Sequence, residues 1–419
     1  MILEVLPAQQ GDCLMLHSES EDGPGLILID GGPAGVSSDS LIPRLEELRG
    51  ERIDAGLIAD DEPLVIDLLI VSHVDDDHIN GVIDLLEGML GRQQANEPPL
   101  FKVKELWHNS FDRILGNDET GTLLASTQFG AASMAAVIEE AEEGAPTDHA
   151  KVLASVKQGD DLKRLAAPDA LDIPVNGQFG GALIQTVPGE LVAREAAGIE
   201  LVVLGPRRPE LVELQEEFDK WLKRQPPAER TEASLLAALD DESAANLSSI
   251  VLLARKDDRT ILLTGDARSD KVLEGLKDCG LCGDGETIEV GILKMPHHGS
   301  IRNLDDEGDF LGRVTSRNYI FSGNGEHGNP DRETFELLFK TRADAAMNLY
   351  LTYPLPDIDR ERRKVYDKER SKKIKKGKDV PEWSDQEHGL AAILSPPPGG
   401  ATVTEHDGST MQIEPSEPS

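Results

Sequence analysis

The chain is poor in cysteine, in long apolar runs and in basic charge, and each shortage removes a class of protein. Three cysteines (Cys13, Cys279 and Cys282) cannot build a disulfide framework, which argues for a reducing compartment. No apolar run approaches the ~20 residues that cross a bilayer, so no membrane segment is expected. The N-terminal MILEVLPAQQGDCLML has no basic n-region and carries Glu4 inside its first apolar stretch, which argues against a signal peptide. These absences predict a soluble, cytoplasmic protein. Lys and Arg number 42 against 78 Asp and Glu, a formal charge of −36 over 419 residues, and such acidity disfavours non-specific polyanion binding. One stretch reverses the sign. Residues 360–378 (RERRKVYDKERSKKIKKGK) hold 11 Lys/Arg against 3 Asp/Glu, a local +8 that leaves the remainder at −44. Such a run reads first as a solvated charged face and second as a basic arm able to meet a phosphate backbone.

What is present suits a globular protein with a sizeable core: 39% of residues are hydrophobic and 29% charged. Several short apolar runs end in polar residues of catalytic type. LILI (26–29) runs into Asp30-Gly31-Gly32, IDLLIVS (66–72) into HVDDDHING, and TILLTG (260–265) into Asp266. EVGILKMP (289–296) runs into His297-His298-Gly299-Ser300, and NYIFSGNG (318–325) into Glu326-His327-Gly328-Asn329-Pro330. Their near-continuous apolar character predicts strands buried on both faces. Between them, residues 79–90 place Ile79, Val82, Ile83, Leu86, Met89 and Leu90 on one helical face. Strands and helices in this order predict an α/β layered sandwich with reactive groups at strand ends.

Residues about 112–245 are rich in Ala, Glu, Gln and Leu and predict a mainly helical insertion, with helices near 123–143, 147–167 and 209–224. Within it, ALIQTV (182–187) and IELVVLG (199–205) read as strands that rejoin the sheet. Residues 1–353 form the expected catalytic domain, and 354–419 carry the basic arm followed by closing strands. GLAAILS (389–395), ATVTE (401–405) and TMQIE (410–414) read as those strands, with Asp407-Gly408 turning the last pair and PSEPS as a disordered tail.

Ten histidines are present, and His73, His78, His297, His298 and His327 follow predicted strands directly, beside Asp or Gly. His73, Asp75, Asp77 and His78 share one loop that enters the 79–90 helix. Two imidazoles and two carboxylates suit a borderline or hard divalent ion, with ligand distances of about 2.0–2.2 Å for zinc. An acidic triplet before a helix also reads as a cap that answers the helix dipole. The flanking histidines, the second His pair and Asp266 at another strand end favour metal.

SHVDDDHING resembles the second motif of the metallo-β-lactamase-fold hydrolases, usually H-x-H-x-D-H followed by a helix. LIDGG resembles their first motif and LLTGDA the motif whose Asp bridges two metals. QQGDC (9–13), NLSSIVLL (246–253) and LKMPHHGS (293–300) are similar to the ComEC-type competence subgroup, whose members act on DNA. The resemblance implies a four-layer αββα sandwich, two divalent ions (zinc or manganese) and a phosphodiester substrate, either nucleic acid or a small nucleotide. It implies His73, Asp75, Asp77 and His78 as ligands or near-ligands, Asp266 as the bridge, and His297 or His298 as a further ligand. Asp75 replaces the usual second His, which makes that position harder and tilts it towards manganese as well as zinc. Asn246, Ser248 and Ser249 stand where a third-motif His is usual, and His327 lies two positions before the His of the subgroup's Y-G-H-P.

A metal-activated water would be the nucleophile, with Asp77 orienting it and His327, or the non-ligand member of His297 and His298, protonating the leaving group. Ser300 and Lys294 are candidates to contact a substrate anion, although Lys294 reads equally as a lysine snorkelling from a strand end. Two other readings stay open: an acyl hydrolase acting on a lactone or thioester, and a catalytically weak metal-binding scaffold whose insertion docks a protein partner. β-Lactam hydrolysis is not expected without an export signal. Weaker signals read blandly. His108 beside Trp107 suits an ordinary hydrogen-bonded histidine, the lone Cys279-x-x-Cys282 an incidental turn, and His17, His149 and His406 surface positions. Gly31-Gly32 lacks the Lys-Ser/Thr of a phosphate loop and suits a tight turn that lets backbone approach the metal loop.

Overall fold

The computed structural model describes residues 1–20, 23–110, 114, 158–212, 249–305, 307–343, 345–406 and 411–417. Most of the expected insertion therefore lies outside the described residues, as do His149, Asn246, Ser248 and the Asp407-Gly408 turn. The N-terminal part supplies β1 (Ile2–Val5), β2 (Leu14–Ser20), β3 (Gly23–Ile29), β4 (Leu64–Ile66), β5 (Leu68–Val71), β6 (Phe101–Val103) and β7 (Leu106–His108). Helix α1 (Ile42–Asp54) follows β3 and helix α2 (Asp76–Gln94) follows β5. Next come β8 (Ala193–Ala196), β9 (Ile199–Gly205), β10 (Val251–Lys256), β11 (Arg259–Leu263), α3 (Ser269–Asp278), β12 (Ile288–Val290) and β13 (Ile292–Lys294). The chain continues through β14 (Val314–Ser316), β15 (Asn318–Phe321), α4 (Arg332–Thr341), β16 (Asn348–Leu351) and α5 (Leu355–Lys375). It ends on β17 (Thr402–Glu405) and β18 (Met411–Ile413).

Two large sheets result, a six-stranded one in the order β18-β1-β2-β3-β5-β7 and an eight-stranded one in the order β17-β16-β15-β13-β11-β10-β9-β8. The architecture is mixed α/β. Ile27, Ile29, Leu68 and Ile70 of the first sheet share one apolar cluster with Leu201, Leu252, Leu263 and Ile292 of the second. A second cluster joins Leu28, Leu69 and Val71 to Leu45 of α1 and to Val82 and Leu86 of α2. A third joins Leu262, Leu293 and Phe321 to Leu276 of α3, Phe335 of α4 and Ile358 of α5. Strands β3, β5 and β7 run parallel, as do β11, β13, β15, β16 and β17. The polar motifs follow β3, β5, β11, β13 and β15, so they lie beyond the carboxyl ends of parallel strands, where α/β sheets usually bind ligands. Among the described residues no helix is long and apolar enough to cross a membrane.

The five strands expected directly before the polar motifs form, and the 79–90 helix lies within α2. Five expectations need correction. GLAAILS is not a strand: Ala391–Leu394 is a short helix with Leu390 and Leu394 buried. Asp359 of α5 accepts the backbone N–H groups of Leu390 and Ala391, which fixes that turn against the helix. ALIQTV makes only one bridge, Thr186 to Arg207, whereas IELVVLG is β9. The last two strands are not a hairpin, because β17 pairs with β16 and β18 with β1, in different sheets. The tail is anchored at its start: the Ser416 hydroxyl donates to the Gly291 carbonyl at 3.1 Å and Pro415 is buried. Two histidines read as surface are not: His406 is buried, and His17 is half-buried against Glu4.

Glu4 shows why. Alternation along β1 sends Leu3 and Val5 into the inter-sheet core and Glu4 to the opposite face, where it is fully buried. Arg44 of α1 donates to it through Nε at 2.6 Å, and His17 Nε2 lies at 2.7 Å. Burial alone would raise this carboxyl, but His17 and Arg44 outweigh it and hold it below the ordinary glutamate value. A lowered folded pKa gives stability that is present above the unfolded value, about 4.3, and is lost as the pH falls below it. Glu4→Gln should therefore cost about 1–3 kcal/mol near neutrality. In urea melts the gap from wild type should close below about pH 4. An equal gap at both pH values would show that the charge is not what Glu4 contributes.

Candidate metal centre

The site is assembled by backbone contacts too close for side chains. A Cβ on Gly11 would lie 1.9 Å from the Asp77 carbonyl oxygen, and one on Gly81 would lie 1.9 Å from the Gly31 carbonyl oxygen. Glycine alone permits such approach. Asp12 N–H donates to the Asp77 carbonyl at 3.2 Å, Gly31 N–H to the His78 carbonyl at 2.8 Å, and Gly81 N–H to the Gly32 carbonyl at 2.9 Å. The loops after β1, β3 and β5 are thus locked together. Gly31-Gly32 serves backbone approach to the metal loop, as expected from the sequence. On the opposite sheet His297 and His298 both adopt left-handed backbone, with φ of 46° and 57°. That turn sets their rings nearly perpendicular, at 75° and 5.7 Å between centroids, on either side of Asp266.

Four buried residues, Asp12, His78, Asp266 and His298, bring one donor atom each to within 4.8 Å of one another. His78 Nε2 lies 3.2 Å and His298 Nε2 3.5 Å from Asp266 Oδ1, and His298 Nδ1 lies 3.4 Å from Asp12 Oδ1. His78 Nε2, His298 Nε2, Asp266 Oδ1 and Asp12 Oδ1 are all buried without a hydrogen-bond partner. Each such atom costs about 1–3 kcal/mol if left unsatisfied, and all four would be satisfied by one cation among them.

The surroundings aim these atoms inward. His78 Nδ1 lies 2.8 Å from Asp30 Oδ2, and Asp30 accepts both the backbone N–H and the hydroxyl of Ser72. His298 Nδ1 lies 2.8 Å from the Ser322 hydroxyl, and His297 Nδ1 lies 2.8 Å from Asn303 Oδ1. Asn303 in turn donates to the Asp266 carbonyl at 2.9 Å. Three imidazoles thus spend Nδ1 on an outer partner and present Nε2 to the carboxylates, the arrangement that orients metal-binding histidines. The fit to a divalent cation with mixed nitrogen and oxygen ligands is good.

The charges agree with this. Burial alone would raise the Asp266 carboxyl, yet His297, His78 and His298 hold it well below the carboxylate range. Asp12 is also driven low against its burial, by Lys294 and then His298. Asp77 falls to about 2, with His298 and His78 overcoming burial. Burial would lower the histidines, but Asp266 and Asp30 raise His78, and Asp12 with Asp266 raises His298 to about 9. A divalent cation entering here would have to displace the histidine protons, so its binding would tighten as the pH rises.

The predicted residues divide into three groups. His78, Asp266 and His298 belong to the buried donor group. Asp77 borders it, with Oδ2 3.6 Å from His298 Nε2. His297 reaches Asp266 Oδ2 at 3.6 Å from a half-open position, its side chain 32% exposed. His73 meets His78 edge-on at 5.5 Å, and Asp75 lies 3.4 Å from His73 at the more exposed rim. Ser300 is buried, and its N–H donates to the His297 carbonyl at 2.9 Å. Ser249 is buried beside Gly265.

Two assignments are corrected. Lys294 does not face a substrate or snorkel outward: it is 1% exposed, with its ammonium 2.8 Å from Asp12 Oδ2. It lines a small cavity between the two sheets together with Asp12, Asp30, Ser72 and Gly265. His327 is exposed on the turn closed by Gly328 N–H to the Gly325 carbonyl, outside the buried donor group. The residue missed from sequence is Asp12. Its signal was the glycine before it, required by the Asp77 carbonyl, just beyond the end of β1. Cys279 and Cys282 are buried and face separate partners, the Val203 and Glu286 carbonyls. No family model matches the chain, and no curated protein matches it.

Proposed function

We propose that the chain is a metal-dependent hydrolase of the metallo-β-lactamase fold, acting on a phosphodiester. The observation that carries this reading is the convergence of four buried, unpartnered donor atoms from Asp12, His78, Asp266 and His298. Two packed sheets with helices against their outer faces support the four-layer αββα arrangement. Asp266 supports two ions, zinc or manganese, because Oδ1 faces His78 and His298 while Oδ2 faces His297. A bound divalent ion would lower the pKa of water from 15.7 towards about 7 and supply hydroxide at neutral pH.

The chain's own residues account for the rest. Asp12, His78, Asp266 and His298 hold the cation, while Asp30, Ser72, Ser322 and Asn303 fix the rings. Asp77, ionised at neutral pH, accepts a hydrogen bond from the attacking water and orients it. With one ion bound, His297 would take the place of His327 as the group that protonates a leaving oxygen, being half-open to solvent and steadied by Asn303; with a second ion it would be a ligand instead. Metal content by elemental analysis, with hydrolysis of bis-(p-nitrophenyl) phosphate under added manganese or zinc, tests the reading. Bound metal and EDTA-sensitive turnover are expected. Turnover of lactones or thioesters alone would make it an acyl hydrolase, and metal without turnover would make it a binding protein.

A further inference from the structure

Helix α5 begins as part of the core and ends as something else. Its first turns bury Leu355, Ile358 and Arg362, whereas residues 371–379 are exposed throughout. Lys364, Lys368, Lys372, Lys375 and Lys376 recur at the i, i+4, i+8, i+11, i+12 positions of one face. They form a stripe on the order of 18 Å long. Lys368, Lys373, Lys375, Lys376 and Lys378 form no salt bridge with a described residue, although the rest of the chain is strongly acidic. Like charges four apart weaken a helix by about 0.2–0.5 kcal/mol per pair. The macrodipole favours lysines only in the last turn, so it does not account for Lys364 and Lys368. Within the stripe Lys364 pairs with Glu361 and Lys372 with Glu369 on the same helix, while Lys368, Lys375 and Lys376 form no salt bridge with a described residue.

Its root touches the metal centre through one loop. Arg362 donates through Nε to the Gly328 carbonyl at 3.1 Å, and a Cβ on Gly325 would lie 2.4 Å from the Ile358 carbonyl oxygen. The same loop opens at Ser322, bonded to His298, and closes at Asn329, which donates to the His297 carbonyl at 3.4 Å. Half-exposed aromatic rings stand beside the root: Trp383 stacks on His388 at 5.3 Å, and Tyr366 lies 4.6 Å from His388. Cations along a track with aromatic faces next to them are the composition of single-strand binding surfaces. A membrane-surface helix would need a broad apolar face, and beyond Arg363 this helix offers only Val365, Tyr366 and Ile374.

We propose that the lysine stripe of α5 is a docking track for the phosphate backbone of a single-stranded nucleic acid whose scissile linkage lies at the metal centre. The choice of substrate rests on the phosphodiesterase reading above. The test measures binding of a labelled phosphorothioate oligonucleotide by anisotropy across a salt series, for wild type and for K368A/K372A/K375A/K376A. Each lost phosphate contact lowers the slope of log K against log salt by about 0.7, so the variant's slope should fall by about three. Its affinity at low salt should fall at least about tenfold. Metal content and bis-(p-nitrophenyl) phosphate turnover should stay at wild-type values, and lysine-to-arginine replacement of the same four positions should keep the binding. An unchanged slope would overturn the proposal. So would wild-type protein that ignores the oligonucleotide but binds anionic vesicles, or self-associates through these lysines. Binding with no diester turnover would refute the catalytic reading and leave the track standing; turnover with no oligonucleotide binding would do the reverse.

Discussion

Asp266→Ala should lose bound metal and diester turnover together, with turnover down by more than about a hundredfold. Outer partners of metal ligands are commonly worth about 10–100-fold, and in the proposed centre Asp266 is an inner one that faces three imidazoles. The side chain is buried, so no neighbouring carboxylate can swing in from solvent to replace it. A thermal readout separates this from simple unfolding. Wild-type protein should melt lower when EDTA strips its metal, because a ligand bound only to the folded state stabilises it. The variant's melting temperature should not respond to EDTA at all. Retained metal and full turnover in Asp266→Ala would remove this residue from the centre and, with it, the bridging role.

Lys294→Met should be the most destabilising single substitution among the site residues, at about 3–5 kcal/mol. Methionine matches the lysine stem in length, so the loss measures charge and not a cavity. It leaves Asp12 buried with one ammonium fewer at 2.8 Å. Urea unfolding with and without zinc or manganese checks the origin of the effect. Saturating metal should return part of the loss, because a cation at the cluster supplies Asp12 with the opposite charge that Lys294 gave. A variant as stable as wild type in both conditions would show that Asp12 does not depend on this lysine.

Much of the fold was legible because its strands are buried on both faces and end abruptly in Asp, His or Gly. The runs at 26–29, 66–72, 260–265 and 318–325 carry that signal without help from context. The donor group was legible at His78, Asp266 and His298, each close after a predicted strand, whereas His73 and Asp75 of the same loop stand outside it. Asp12 was not legible, because it sits in a loop with no periodicity, and its partner Lys294 belongs to the other sheet. Only the stacking of the two sheets brings them together. Lys294 itself misled because a lysine at a strand end usually finds water, and here the strand end lies under a roof. GLAAILS failed for a different reason: four to seven apolar residues fit either period, and the contacts from Asp359 decided for a helical turn.

The two consecutive left-handed histidines make the backbone part of the site. Histidine enters that conformation more readily than most side chains, but two in succession still carry a conformational cost that glycine would not. Exchange of either for glycine would relax the turn and at the same time take a ring away from Asp266. At 297–298 the ease of the turn and the placing of the rings therefore pull in opposite directions.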